Sequence, residues 1–351
     1  MDNFHKLTVA EICKEIGGAA TSVIFTVPAN LSEQFHWQAG QHLTLRFVLE
    51  GIEHRRSYTI SNPPGQTLRI TSKRVPKGIV SNHIGDNLKP GDVVEVMPPF
   101  GGFKLNPDAL ARRTHYFFAA GSGITPLYAM ICDLLNKEPH SVAHLIFGNA
   151  KADQIIFREE LEALAQAHPD RLSLRHVLSA PSMWSWFTPW RSGRVDTKAV
   201  EAAISETPPV AQDVQYWICG PGSMNTDVRS ALMSLDVPSN RIHMESFGGD
   251  AQVSDGVNGV ASTMKVTLGG ITKDIPVASD QTLLDAMRAA DMPPPFSCQS
   301  GVCGACRAHL NKGEVHMRRH MALEENEIAK GEILTCQSVA QTDTLEVKFD
   351  A

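Results

Sequence analysis

The chain has 351 residues, of which 42% are hydrophobic and 20% charged, so it is too long for one ordinary core and two or three globular domains are expected. A formal net charge of −6 argues against a nucleic-acid partner, which selects for a basic face. No apolar run is long enough to cross a bilayer, and Met1–Lys6 lacks the basic start and apolar stretch of a signal peptide, so a cytoplasmic protein with no membrane association is expected.

From Lys6 to Pro98, short β-type runs lie between turn signals: Thr21–Val27, Gln41–Leu49, Arg56–Ser61, Thr67–Val75 and Asp92–Met97. One helical stretch interrupts them near Ile79–Asn87, a pattern that predicts a small antiparallel β-barrel over residues 1–108. The rhythm then becomes strand, helix, strand. Strands are predicted at His115–Ala120, Ser141–Phe147, Leu172–Leu178, Gln215–Cys219 and Arg241–Phe247, and helices at Pro126–Asn136, Ile155–His168, Val195–Ile204 and Met224–Leu235. Such alternation predicts a doubly wound parallel α/β domain over 109–248. A polar, glycine-rich segment at 249–262 reads as a linker. After it come a hairpin (Met264–Leu268, Ile271–Val277), a helix (Leu283–Ala290) and strands at Arg307–Leu310 and Leu345–Phe349, an α+β domain over 263–351.

Four of the seven cysteines fall in the last 54 residues. Cys298, Cys303 and Cys306 follow C-x₄-C-x₂-C spacing and Cys336 comes later, the plant-type [2Fe–2S] arrangement. Gly301 and Gly304 let backbone N–H groups approach the sulfurs. A Cys₄ zinc site is the rival, but zinc sites favour two C-x₂-C pairs rather than three cysteines in one loop and a singleton. Cys13 and Cys132 are expected to be buried thiols. From Ser262 to Ala351 there are 9 Lys and Arg against 12 Asp and Glu, a net −3 before any cluster charge. That domain is therefore expected to dock on a basic patch of a partner.

Arg56-Ser57-Tyr58-Thr59 sits on a β-type segment, where an arginine can pair with a flavin phosphate. Tyr58, two residues on, faces the same side and can stack on an isoalloxazine, with Thr59 reaching its polar edge. Lys77-Gly78-Ile79-Val80-Ser81 opens a helix, a site for the same phosphates, with Gly78, Val80 and Ser81 at the contact and Lys73 beside it. Gly121-Ser122-Gly123-Ile124-Thr125-Pro126 follows the first parallel strand and precedes a helix, the place for a pyrophosphate-cradling turn. Cys219-Gly220-Pro221 ends a later strand, which puts Cys219 near a nicotinamide or, on the bland reading, simply in the core. Lys151 favours a 2′-phosphate and hence NADPH, whereas Asp153 favours a free ribose and NADH.

These motifs, in this order, resemble the ferredoxin–NADP⁺ reductase superfamily with a fused C-terminal plant-type ferredoxin of β-grasp fold, and within it the reductase subunits of phenylacetyl-CoA epoxidases. The likeness covers the whole chain, including Phe4–Ala10, Gly40–Leu45, Gly121–Pro126 and the cysteine loop. It implies flavin binding by Arg56, Tyr58 and Thr59, and a border between flavin and nicotinamide at Gly121, Gly123, Thr125 and Pro126. It also implies a hydride path near Cys219, Gly220 and Pro221, and a closing Glu-x-Phe in Glu245 and Phe247. Tyr58, Thr59, Thr125, Cys219 and Glu245 are then the catalytic set. The resemblance favours FAD, with FMN the alternative.

A nicotinamide gives up two electrons as one hydride and a [2Fe–2S] cluster takes one, so a flavin is the needed converter. An NAD(P)H-dependent oxidoreductase is expected, monomeric by itself, passing electrons to a multicomponent oxygenase of the phenylacetyl-CoA epoxidase kind. A Rieske oxygenase, a steroid hydroxylase and a di-iron desaturase are alternative acceptors. An iron–sulfur redox sensor or a zinc-stabilised binding module is the non-enzymatic rival. Trp184, Trp186 and Trp190 fill a loop where relatives are more polar; it either folds on apolar surface or meets a partner.

Overall fold

The structure, a computed structural model, describes residues 3–181, 191–247, 257–292, 294–323 and 325–349. The three loop tryptophans and most of the expected linker lie outside the described residues. The larger of two compact units runs over Phe4–His54 and Tyr58–Phe247; the smaller holds the C-terminal region.

The larger unit opens with β1 (His5–Glu15), β2 (Ala20–Thr26), β3 (His42–Leu49), β4 (Ile52–Thr59), β5 (Leu68–Lys73), α1 (Ile79–Asp86) and β6 (Val93–Val96). The strands form one six-stranded sheet in the order β4-β3-β6-β1-β2-β5, and an antiparallel bridge from Ile60 to Ile70 joins its two ends. This is the expected barrel. Its core alternates along the strands, with Leu7, Val9, Val23, Phe25, Leu43, Leu45, Ile70, Val94 and Val96 turned inward. The strand β1 escapes sequence reading. Its register shifts between Val9 and Glu11, and a bulge of this kind breaks the period-two pattern that marks a strand.

Next come β7 (Arg113–Ala120), α2 (Ile124–Lys137), β8 (Val142–Asn149), α3 (Arg158–Ala167), β9 (Leu172–Leu178), β10 (Arg191–Ser192), α4 (Thr197–Glu206), β11 (Asp213–Gly220), α5 (Gly222–Ser234) and β12 (Ile242–Ser246). Their sheet is parallel in the order β10-β9-β8-β7-β11-β12, as the alternation predicted. The chain leaves β7 toward β8 on one side and β11 toward β12 on the other, which makes the carboxyl ends of β7 and β11 the topological switch point. The helix α2 is buried around most of its circumference. It packs on the sheet through residues such as Leu127 and Ile131, and the same core cluster takes in Ala39, Phe103 and Leu105.

The smaller unit contains β13 (Ser262–Leu268), β14 (Ile271–Val277), α6 (Leu283–Ala289), β15 (Arg307–Lys312), β16 (Val315–Met317), α7 (Glu325–Ile328), β17 (Glu332–Leu334), β18 (Ser338–Ala340) and β19 (Thr344–Lys348). Its main sheet has the order β14-β13-β19-β15-β17, with β13 and β19 parallel and the other pairs antiparallel, and β16 pairs with β18. This mixed sheet with α6 against it is the expected β-grasp domain. Thr282 caps α6 by accepting from the Asp285 N–H at 3.2 Å, and this helix delivers the chain to the cysteine loop.

Candidate functional site

At the switch point the chain turns from β7 through a tight 3-10 turn, Gly121–Gly123, into α2. Gly123 has ordinary helical backbone angles, yet a Cβ there would fall on the Cys219 carbonyl at the end of β11. Close packing of turn on strand, rather than an unusual dihedral, demands glycine. Thr125 is buried and its hydroxyl donates to the Ser122 carbonyl at 3.0 Å, so it stabilises the turn itself, and Pro126 is buried beside it. Gly220 ends β11, and Pro221 is the N-cap of α5, which starts immediately after.

Cys219 is fully buried and stands in register with Glu245 on the neighbouring strand β12. The Glu245 Oε2 is shut off from solvent without a partner, and burial pushes this carboxyl up to about 8. Burial, then the Glu245 carboxyl, raises the Cys219 thiol as well, so at neutral pH it is a protonated thiol. Sequence reading missed Asn225. Its amide, on α5, donates to the Glu245 carbonyl at 2.9 Å and to the Ser246 hydroxyl at 2.8 Å, which pins the end of β12. Phe247 follows, partly exposed. Lys151 is exposed just beyond β8, with Asp153 in the following 3-10 turn.

On the barrel, β4 carries Arg56 exposed, Ser57 and Tyr58 half-buried and Thr59 buried. The Arg56 guanidinium donates to the Arg55 carbonyl at 2.7 Å. Gly78 is the N-cap of α1, Val80 and Ser81 are buried in its first turn, and the Ser81 hydroxyl accepts from the Val75 N–H at 3.2 Å. The free N–H groups of that turn, with Lys73 as a cation, suit a flavin's phosphates. Lys73 ends β5, and its ammonium lies 3.3 Å from where a Gly121 side chain would begin. The structure thus brings the flavin-side strands and the nicotinamide-side turn together. Behind them runs a buried hydroxyl ladder invisible in the sequence: Ser61 to Thr71 at 2.9 Å, Thr71 to Ser22 at 2.8 Å and Ser22 to Glu15 at 2.6 Å.

In the smaller unit Cys298, Cys303 and Cys306 lie on an irregular loop between α6 and β15, and Cys336 lies between β17 and β18. The thiols pair: Cys298 contacts Cys303, and Cys306 contacts Cys336. Among the described residues no three metal-ligating side chains converge on one ion. Two pairs suit two irons and not one tetrahedral zinc, so the donor set fits a [2Fe–2S] cluster. Contact with Cys303, together with the N–H groups of Ser300 and Val302, draws the Cys298 thiol below its usual range; the Ser300 N–H donates to its sulfur at 3.4 Å. Gly301, at φ +75°, directs its N–H to Cys336, and a Cβ there would come 2.7 Å from the Arg319 carbonyl. The Thr335 hydroxyl donates to the Cys306 carbonyl at 3.0 Å, bracing the distant ligand against the loop. Cys132 is buried as expected, but Cys13 is half-exposed and donates to Glu11 at 3.2 Å, because β1 is solvated along its second half.

Residues 12–105 match the oxidoreductase FAD-binding domain, 117–230 the oxidoreductase NAD-binding domain, and 266–341 the 2Fe-2S iron-sulfur cluster binding domain. The chain is 34% identical to a component of the 1,2-phenylacetyl-CoA epoxidase of Escherichia coli (strain K12), covering 100% of this chain and 99% of that one. It is 33% identical to the ferredoxin reductase component of 3-ketosteroid-9-alpha-monooxygenase from Rhodococcus rhodochrous, covering 98% and 96%. Among solved structures, phthalate dioxygenase reductase superposes with a TM-score of 0.60 at 26% identity, covering 99% of this chain and 98% of that one.

Proposed function

Because the chain belongs to the ferredoxin–NADP⁺ reductase superfamily, in its branch with a fused C-terminal [2Fe–2S] domain, and is an NAD(P)H-dependent FAD and iron–sulfur oxidoreductase, we propose that it supplies electrons to a multicomponent oxygenase of the phenylacetyl-CoA epoxidase kind. When bound, FAD converts a hydride into two single electrons, and the cluster carries them out one at a time. Arg56, Lys73 and the α1 N-terminus at Gly78–Ser81 hold the flavin's phosphates, while Tyr58 and Thr59 line its ring. Gly121, Gly123 and Pro126 form the turn that borders both cofactors, and Thr125 braces it. Cys219, Gly220 and Pro221 shape the floor under the nicotinamide. Glu245 keeps a proton on its buried carboxyl beside Cys219 near neutral pH, and Phe247 covers this edge. Lys151 meets a 2′-phosphate, which favours NADPH. Cys298, Cys303, Cys306 and Cys336 ligate the cluster. We read the chain as a cytoplasmic monomer with domains at 1–108, 109–248 and 263–351.

The pairing of four thiols downstream of the two nucleotide turns carries this reading. Anaerobic titration with NADPH and with NADH is expected to bleach both the flavin and the cluster bands, NADPH at the lower concentration. The reduced protein is expected to support turnover by a phenylacetyl-CoA epoxidase oxygenase component. A colourless, zinc-containing protein would end the reductase reading. Turnover with a steroid hydroxylase component and none with an epoxidase would move the acceptor.

A further inference from the structure

The barrel and the nucleotide domain share an apolar contact through Ala20, Ala39, Phe103 and Leu105 against α2. Apolar contact is non-directional, so it holds two domains together without fixing their rotation. Direction comes from hydrogen bonds, and one side chain of the barrel uses all three of its guanidinium nitrogens, one of them across the domain boundary. Arg69 lies on β5, two residues before Thr71 and four before Lys73. Its Nε donates to the Ser61 hydroxyl and its Nη2 to the Ser61 carbonyl, both at 3.2 Å. Ser61 returns the grip, donating its N–H to the Arg69 carbonyl at 2.8 Å. The remaining nitrogen, Nη1, reaches Glu160 on α3 at 2.8 Å, and the guanidinium lies over the Phe157 ring at 4.7 Å and the Tyr128 ring at 5.7 Å.

Those partners belong to the parts that set the nicotinamide edge. Tyr128 is one helical turn past Thr125 on α2, the helix that grows from Gly121–Gly123. Phe157 is buried and holds a left-handed backbone (φ +59°) at the start of α3, a conformation an aromatic residue adopts only when its surroundings impose it. Tyr128 and Phe157 pack ring on ring at 4.9 Å, so the guanidinium caps a preformed aromatic pair. On the barrel side Ser61 is two residues past Thr59 and bonds Thr71, tying the clamp into the strands that carry the flavin-side residues.

The second attachment is at the far end of α2. There Glu138 accepts from the Asp108 N–H at 3.1 Å and from Arg113 at 2.9 Å where the chain crosses between the domains. Tyr128 and Glu138 are ten residues apart, or about 15 Å along the helix axis. Two anchors at opposite ends of one helix prevent rotation that either alone would allow.

We propose that Arg69 is a positioning residue for hydride transfer, setting the orientation of the nucleotide domain, and so of the Gly121–Pro126 turn, against the strands bearing Thr59 and Lys73. The proposal rests on the reductase reading above. Lysine is no substitute, because a single ammonium cannot present a fork to Ser61, a third donor to Glu160 and a flat face to two rings.

The experiment uses holoprotein variants Arg69→Lys, Arg69→Leu and Glu160→Gln. Rapid mixing with saturating nicotinamide is expected to show flavin reduction, per bound flavin, slowed roughly tenfold or more in Arg69→Leu and by less in the other two. Nicotinamide affinity and electron transfer from photoreduced flavin to the cluster are expected to stay unchanged. Hydrogen exchange of the same holoproteins is expected to quicken at Gly121–Tyr128 in step with the slowed reduction. A purely structural role would lower melting temperature and flavin content but leave the rate per flavin and the exchange at Gly121–Tyr128 unaltered, and that result would overturn the proposal. Should Arg69→Leu fail to fold, Glu160→Gln decides: an unchanged reduction rate there also overturns it. A wild-type protein reduced by neither nicotinamide would instead sink the reductase reading, which separates the two failures.

Discussion

Glu245 shows how one residue's setting sets its charge. Its ordinary value is 4.5, and in the folded chain burial lifts it to about 8. A raised folded-state value means that the fold holds the proton more tightly than the unfolded chain does. The associated stability is complete below about 4.5 and is lost as pH rises through about 8. Melting temperature should therefore fall across that window, and Glu245→Gln should flatten the slope and exceed the parent protein in the alkaline range. Equal slopes would mean that Glu245 is ionised in the fold. At the cluster, Cys336→Ser removes one half of a thiol pair. The expected product retains flavin reduction by NAD(P)H and has neither the cluster's visible bands nor electron delivery to an acceptor. The serine variant keeping an intact [2Fe–2S] spectrum would show that the fourth ligand lies elsewhere.

At the scale of elements, the glycines of the nucleotide turn separate two physical demands. Gly121 has φ +54° and Gly123 has φ −62°. An alanine at 121 meets a backbone cost of about 1–2 kcal/mol. At 123 the backbone is acceptable and the cost is collision with the end of β11, about 1–3 kcal/mol. Gly123→Ala should also weaken nicotinamide binding, because relieving the collision moves the turn; chemical denaturation with parallel cofactor titration measures both. Loss of stability with unchanged affinity would show that the turn does not contact the cofactor. At the other end of the same helix, Glu138 is fully buried. Burial alone would raise its carboxyl, but His115, Ser141 and the Asp108 N–H hold it down to about 2. Its support is therefore present above the usual carboxylate range and is lost only as pH falls toward 2. Replacing it with alanine leaves Arg113 paired with Asp213 alone and takes the acceptor from the Asp108 N–H, which should cost about 1–3 kcal/mol. Much of the element order was legible in advance, since helices and strands of the nucleotide domain repeat at the periods that mark them. The long strand β1 was not, because its bulge interrupts alternation, nor was the two-residue strand β10, too short to carry any period.

For the whole molecule, the hydrophobic clusters divide with the two units. Among the described residues, those up to Ile242 and Met244 form three clusters, and those from Met264 onward form two others. Separate cores predict two calorimetric transitions. Removing iron with a chelator should lower only the transition of the C-terminal unit; a single transition shifted as a whole would indicate one cooperative body. Three domains and their cofactor classes were legible from the sequence because the signals that carry them are local. The spacing of Cys298, Cys303 and Cys306, the glycine turn before α2 and the Cys219–Pro221 strand end each lie within a few residues. Tertiary structure decided what depends on chain segments far apart. It set Cys306 against Cys336, stood Glu245 beside Cys219 so that burial raises both, and placed Arg69 over an aromatic pair on the other domain. No short-range pattern encodes such distances, because they arise only when strands pair and helices pack.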